Sequence, residues 1–163
     1  MAVETLRDVI RHSAAAYGSQ TAFRYKIGRK ELEDKTYENV NQDSMAVSRM
    51  LKAEGMLGKH IALIGATTYS WIISYFGITN SGSVAVPIDA QLPSPAICEL
   101  LNHADVEMVI YDEIRADVIP EIRKLCPRIT CIISMQAQES SADIRSLSQL
   151  LAEHAGNFDT NLD

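Results

Sequence analysis

The chain has 163 residues, is 47% hydrophobic and 22% charged, and carries a formal net charge of −6 with a pI of about 5.2. That is one domain's length with enough apolar content to bury a core. The acidic balance and dispersed basic residues, whose longest cluster is Gly28-Arg29-Lys30, exclude a general nucleic-acid binder, which would carry a basic stripe.

Val3, Leu6, Val9, Ile10 and Ala14 recur at helical spacing, and Gly18 supplies a stop, so a first helix is expected. Residues 21–27 and 30–35 predict a hairpin around Gly28 with a polar second arm. Thr36 is a candidate N-cap for a helix with the stripe Val40, Ser44, Val47 and Leu51, ended by Gly55.

Residues 61–88 then run without a single Asp, Glu, Lys, Arg or His. A membrane span needs about 20 mainly apolar residues, but Gly65, Thr67, Thr68 and Ser70 interrupt the run early and Asn80, Ser81, Gly82 and Ser83 late. Those breaks predict a strand at 60–64, a helix at 69–81 and a strand at 84–88. Both strands are apolar on both faces, which suits a parallel sheet covered on each side. The helix carries Trp71, Ile72, Ile73, Tyr75 and Phe76 on nearly every side, so it needs a second cover beyond the sheet.

Ser94-Pro95 reads as an N-cap followed by proline at the first helical position, with Ile97, Leu100 and Leu101 as the inner stripe. Residues 106–111 predict a third strand. Asp112 can cap a short helix, which Pro120 interrupts or restarts. Residues 129–134 predict a fourth strand, 136–142 a loop, and 146–154 a last helix with Leu147, Leu150 and Leu151 inward and Gly156 as its stop. Residues 157–163 carry no pattern and are expected to fray. The whole reads as an α/β fold, mainly a parallel sheet with helices on both faces, formed by one domain over residues 1–156.

Tests for chemistry return no complete constellation. Gly65-Ala66-Thr67-Thr68 has too few glycines for a dinucleotide fingerprint, and Gly58-Lys59-His60 does not make a phosphate loop. Ser81-Gly82-Ser83 is not a nucleophile elbow. His12, His60, His103 and His154 have no metal-binding spacing and read as surface or boundary residues. Cys98, Cys126 and Cys131, odd in number and in apolar contexts, read as reduced, inert thiols. With no visible signal peptide, a cytoplasmic protein is expected. Asp89 and Asp112 follow strands, where capping and loop polarity account for them.

The segment Lys35-Thr36-Tyr37-Glu38-Asn39-Val40 resembles the TYxEL motif of the adenylate-forming, or AMP-binding, enzymes, a group holding acyl-CoA synthetases, luciferases and peptide-synthetase adenylation domains. Residues 78–89, Ile78-Thr79-Asn80-Ser81-Gly82-Ser83-Val84-Ala85-Val86-Pro87-Ile88-Asp89, resemble its LxxGAxxxPIDP motif. The order of elements around both is similar, over nearly the whole chain, and the acyl-CoA ligase branch resembles it most. Ala90 stands where that motif often has proline. The resemblance implies the N-terminal part of the large domain of a longer ligase. Its parent would use ATP, Mg²⁺ and CoA to activate a carboxylic acid, fatty acids included, to an acyl-adenylate and pass the acyl group to a thiol.

The family's nucleotide-binding YTSGTTGxPK loop, its later ribose-binding aspartate and its C-terminal lysine have no counterpart in these residues. The chain by itself is therefore expected to be inactive, to bind none of those cofactors and to have the remainder of the ligase as its partner. No catalytic or metal-binding residue is assigned. By resemblance, Ala90, Gln91 and Arg115 would lie near the CoA nucleotide, with Asp89 beside them; a solvated helix residue is the plainer reading of Arg115. Without its cover, helix 69–81 is expected to leave one face open and to favour self-association. Two other readings stay open. One is a free-standing binding or interaction domain that kept the scaffold without the chemistry. The other is an unrelated doubly wound enzyme relying on Thr67, Thr68, Asp89 and Asp112 at the strand ends.

Overall fold

The computed structural model describes residues 3–27 and 30–155. The hairpin turn at Gly28, the helix stop at Gly156 and the tail lie outside them. In chain order the elements are α1 (Leu6–Tyr17), β1 (Thr21–Ile27), β2 (Glu31–Thr36), α2 (Tyr37–Ala53), β3 (His60–Ile64), α3 (Tyr69–Asn80) and β4 (Val84–Ile88). Then follow α4 (Ser94–His103), β5 (Met108–Tyr111), a 3-10 helix (Glu113–Val118), α5 (Ile119–Leu125), β6 (Cys131–Ser134), β7 (Arg145–Ser146) and α6 (Leu147–His154).

Five strands form one sheet in the order β4-β3-β5-β6-β7, and every pairing is parallel. The expected parallel sheet is therefore present, with β7 as an added edge strand of two residues. Alternation along each strand divides the core in two. Ala62, Ile64, Val109, Tyr111 and Ile132 point to one face, where α4 and α5 bring Ile97, Cys98, Leu101, Ile119 and Ile122. Ile61, Leu63, Met108, Ile110 and Ile133 point to the other, met by Val47, Met50 and Leu51 of α2, Ile78 of α3 and Leu147 and Leu150 of α6. Burying each of the Val, Leu, Ile and Met side chains among them contributes about 1.5–3 kcal/mol, and both faces of β3 need a cover because both are apolar.

The cap of α2 forms as its sequence predicts. Thr36 Oγ1 accepts from Asn39 N at 3.1 Å, and Asn39 Oδ1 accepts from Thr36 N at 3.0 Å. Gly77 lets α3 lie against α2. A Cβ there would meet Val47 Cβ at 2.3 Å and Ser44 O at 2.8 Å, and Ser48 Oγ uses the closeness to donate to Gly77 O at 2.8 Å.

Several local expectations are corrected. Of the α1 stripe only Ile10 is buried, while Val3, Leu6 and Val9 stay exposed, although α1 packs on α2 and α3. Leu100 also faces solvent, and Cys98 takes its place inward. Ser94 is not a cap. Pro93 precedes α4 with no side-chain hydrogen bond, and Ser94 Oγ donates to Asp117 Oδ2 instead. The strands expected at 106–111 and 129–134 are shorter, because Val106 and Ile129 belong to the turns that lead into them. Pro120 lies in the first turn of α5, so it restarts the helix.

The hairpin β1–β2 stands apart as a two-stranded antiparallel sheet. Its aromatic side covers the start of α3: Tyr25 stacks on Tyr69 with centroids 5.8 Å apart, and Phe23 meets the same ring edge-on at 6.1 Å. Tyr69 also donates to Asp43 Oδ2 of α2 at 2.6 Å. Further along α3, Trp71 stacks on Tyr75 at 5.5 Å. Trp71, Ile72, Tyr75 and Phe76 are consequently half-buried rather than open. Among the described residues no helix is long and apolar enough to cross a membrane.

Candidate functional site

In an open parallel sheet, ligands bind beyond the carboxyl ends of the strands. Here β3, β4 and β5 end level with one another, Ile64 standing opposite both Ile88 and Tyr111. The connections leaving them enclose a concavity of about 520 Å³.

Gly65, Ala66 and Thr67 line it after β3, and Trp71 comes to it from the first turn of α3. Thr68 does not line it; its Oγ1 caps α3 by accepting from Trp71 N at 3.3 Å. After β4, Pro87, Ile88, Asp89, Ala90 and Gln91 make one wall. Asp89 shapes that wall by folding back on it, with Oδ1 accepting from Gln91 N at 2.8 Å. After β5, Asp112 is 4% exposed and caps the 3-10 helix through Ile114 N at 3.1 Å. That cap turns Ile114 outward as a second wall, 64% exposed.

Of the three site residues expected from sequence, Ala90 and Gln91 therefore line the concavity. Arg115 does not. Its Nη1 donates to the carbonyls of Ala90 and, at 2.9 Å, of Leu92; its Nε and Nη2 grip Asp117 at 2.9 and 3.0 Å. Its side chain is only 11% exposed, so it is not a solvated helix residue. The Asp117 carboxylate raises the Arg115 pKa, and Arg115 in turn holds the Asp117 carboxyl below its ordinary range.

Trp71 and Ile114 are among the lining residues that sequence reasoning missed, with Gly65, Ala66, Pro87 and Ile88. Trp71 stood out only as a bulky residue in need of a cover, and an exposed isoleucine carries no sequence signal of its own. Beside the concavity, Tyr111 and Ser134 both donate to Glu113 Oε1, and burial, followed by Glu113, raises the Tyr111 pKa. A second concavity, of about 370 Å³, lies where Thr79 to Gly82 lead into the opposite end of β4, next to Thr5, Leu6 and Arg7.

The histidines fit their reading as boundary residues. His60 Nδ1 lies 2.6 Å from the Ala104 carbonyl at the start of β3, and His103 and His154 end helices. Cys98 and Cys126 are buried and free. Burial is the main cause that pushes the Cys98 thiol up to about 12, far from the thiolate a reactive cysteine needs. Among the described residues no group of three or more His, Cys, Asp or Glu side chains could hold a metal ion.

A sequence profile of the AMP-binding enzyme family matches residues 10–157. Tyrocidine synthase 2 of Brevibacillus parabrevis is 28% identical over 116 residues, which is 70% of this chain and 3% of that protein. The long-chain-fatty-acid–CoA ligase FadD13 of Mycobacterium tuberculosis (strain H37Rv) is 30% identical over 89 residues, 54% of this chain and 18% of that one. The crystal structure of the anthranilate CoA ligase AuaEII in complex with anthranoyl-AMP superposes with a TM-score of 0.80 at 20% identity, covering 93% of this chain and 27% of that one. The chain thus spans a minor part of the length of each of these relatives. At 20% identity the superposition shows the fold: a parallel sheet flanked by helices, as in the N-terminal part of adenylate-forming enzymes. With the profile match running over most of its length, the chain belongs to the AMP-binding enzyme family.

Proposed function

We propose that this chain forms the first sheet of the large domain of an ATP-dependent acid–thiol ligase of the acyl-CoA synthetase type, acting in the cytoplasm. The supporting observation is where the 78–89 segment falls. Its last residues, Pro87 to Asp89, leave β4 and line the concavity at the carboxyl ends of the strands. Residues 1–156 are one domain in this reading, and the rest of the ligase packs on it.

The parent's chemistry is the activation of a carboxylic acid by ATP and Mg²⁺, followed by acyl transfer to the thiol of CoA. FadD13, a long-chain-fatty-acid–CoA ligase by name, makes a fatty acid the first substrate to try. This chain's own residues shape and desolvate rather than react. Trp71, Ile88 and Ile114 give the concavity apolar sides, while Thr67, Asp89 and Gln91 offer polar groups at its rim. Ala90 and Gln91 would face the CoA nucleotide. Arg115, with its donors on Asp117 and two carbonyls, would stand behind them. Alone, the chain lacks the phosphate-binding loop and adenylates nothing.

The reading frame past Asp163 tests this reading. A Gly/Thr-rich loop carrying a lysine is expected to follow soon after. A native stop codon at that point, with a stably folded product in cells, would favour the free-standing binding domain.

A further inference from the structure

We infer that Arg115 is a positioning residue that sets the width of the concavity, by tying together two connections that no ladder joins directly. In the strand order β4-β3-β5, β4 and β5 are not neighbours. Strands lie about 4.8 Å apart, so the chains leaving β4 and β5 start roughly 10 Å from one another with β3 between them. Both strands are laddered to β3, but no ladder hydrogen bond joins the connections that run on beyond Ile88 and Asp112 to one another. Yet the wall after β4 (Ala90, Gln91) and the wall after β5 (Ile114) belong to one concavity.

Arg115 bridges the gap from behind. It is the neighbour of Ile114, and its backbone leaves helical geometry at φ −118°, ψ 26°. From there one guanidinium reaches the Ala90 and Leu92 carbonyls on the other connection. It also reaches Ser94 Oγ at 3.4 Å, at the start of α4. Asp117 grips the opposite edge of the fork with both oxygens, which turns Nη1 toward the two carbonyls. Ser94 Oγ donates to Asp117 as well, so the clamp closes on itself. The planar fork can satisfy carbonyls and carboxylate at once; an ammonium on a flexible stem presents no such fixed geometry. The Arg115 side chain is 11% exposed, so its bonds to the Ala90 and Leu92 carbonyls form largely away from competing water, while Asp117 on the other edge remains more than half exposed. This role concerns the shape of the site and stands whether or not the ligase reading holds.

The test is residue-resolved amide exchange on the chain as it stands, with acrylamide quenching of Trp71, the single tryptophan, as a reporter inside the concavity. In R115A the amides of Gln91, Leu92 and Ile114 are expected to exchange about tenfold faster, and Trp71 to be quenched more readily, while Ala62 and Val109 in the sheet keep their protection. Added methylguanidinium should slow those same amides again, which it would not do for a general loss of stability. If R115A does not fold, R115K gives the answer, with the same pattern expected. Wild-type exchange at Gln91 and Leu92 in a folded variant would overturn the inference. So would acceleration spread evenly over loop and sheet, or the absence of any methylguanidinium effect on R115A.

Discussion

A methyl group on Gly65 would sit 2.2 Å from the Cβ of Asp112. The two residues follow adjacent strands, and Asp112 N donates to Ile64 O at 2.8 Å, which draws the β5 exit against the β3 exit. Gly65 also has φ +147°, a conformation that side chains disfavour. G65A is therefore expected to destabilise the fold by roughly 3 kcal/mol, the upper end for overpacking. Urea unfolding would measure it, and a loss below about 0.5 kcal/mol, the scale of an ordinary surface change, would contradict the contact.

Tyr69 joins three elements through one ring and one hydroxyl. The hairpin stacks on the ring, and the hydroxyl donates to Asp43. Burial, then the hydrogen bond to Asp43, raises the Tyr69 pKa, so the hydroxyl keeps its proton and remains a donor. Y69F keeps the stacking and removes only the hydrogen bond, at an expected cost of about 1.5–3 kcal/mol, the range for a bond to a charged group. In a double-mutant cycle with D43A the two losses should not add. Strict additivity would mean that the pair is not coupled.

The clamp on the concavity has a pH signature. Arg115 lowers the Asp117 pKa in the folded chain. Its contribution is thus complete above the unfolded carboxylate value of about 3.9 and is lost as pH falls through the lower, folded value. Asp117 is more than half exposed, so the effect is local and screened. Trp71 emission should stay constant from pH 7 to about 4 and shift below that, in wild type and not in D117N. A shift already complete near pH 5, or one shared by D117N, would point to another group.

Helix α3 leaves its outer face half-covered. Trp71, Ile72, Tyr75 and Phe76 are neither buried nor open, and the exposed apolar residues lie elsewhere, Val3, Leu6 and Val9 of α1 among them. Self-association through α3 is expected to be weak but visible in sedimentation across a concentration series, accompanied by a change in Trp71 emission. A strictly monomeric protein that binds no hydrophobic dye would show that these residues close their own core.

The sheet was legible because its strands are apolar on both faces and separated by turn signals. Residues 60–64 and 84–88 fall where the pattern puts them. The helix caps at Thr36 and Asp112 were legible too, since a short polar side chain before a periodic run has one local use. Local signals failed where a tertiary contact decides. Ser94 serves Asp117 rather than α4, and Leu100 faces out because α4 turns Cys98 inward. Gly82 sits in a turn at φ +75° with open space around it, so backbone conformation and not crowding calls for glycine there. Ala90 and Gln91, named by resemblance for a CoA site, line the concavity. The work of Arg115 was hidden, because its partners are backbone carbonyls 23 and 25 positions away.

The most direct test of the ligase reading is pyrophosphate release by this chain alone, given ATP, Mg²⁺ and a panel of carboxylic acids that includes fatty acids. The proposal places the adenylating residues in the remainder of the parent enzyme, so the rate should equal that of the protein-free control for every acid. Robust, acid-dependent release by the 163 residues themselves would contradict it.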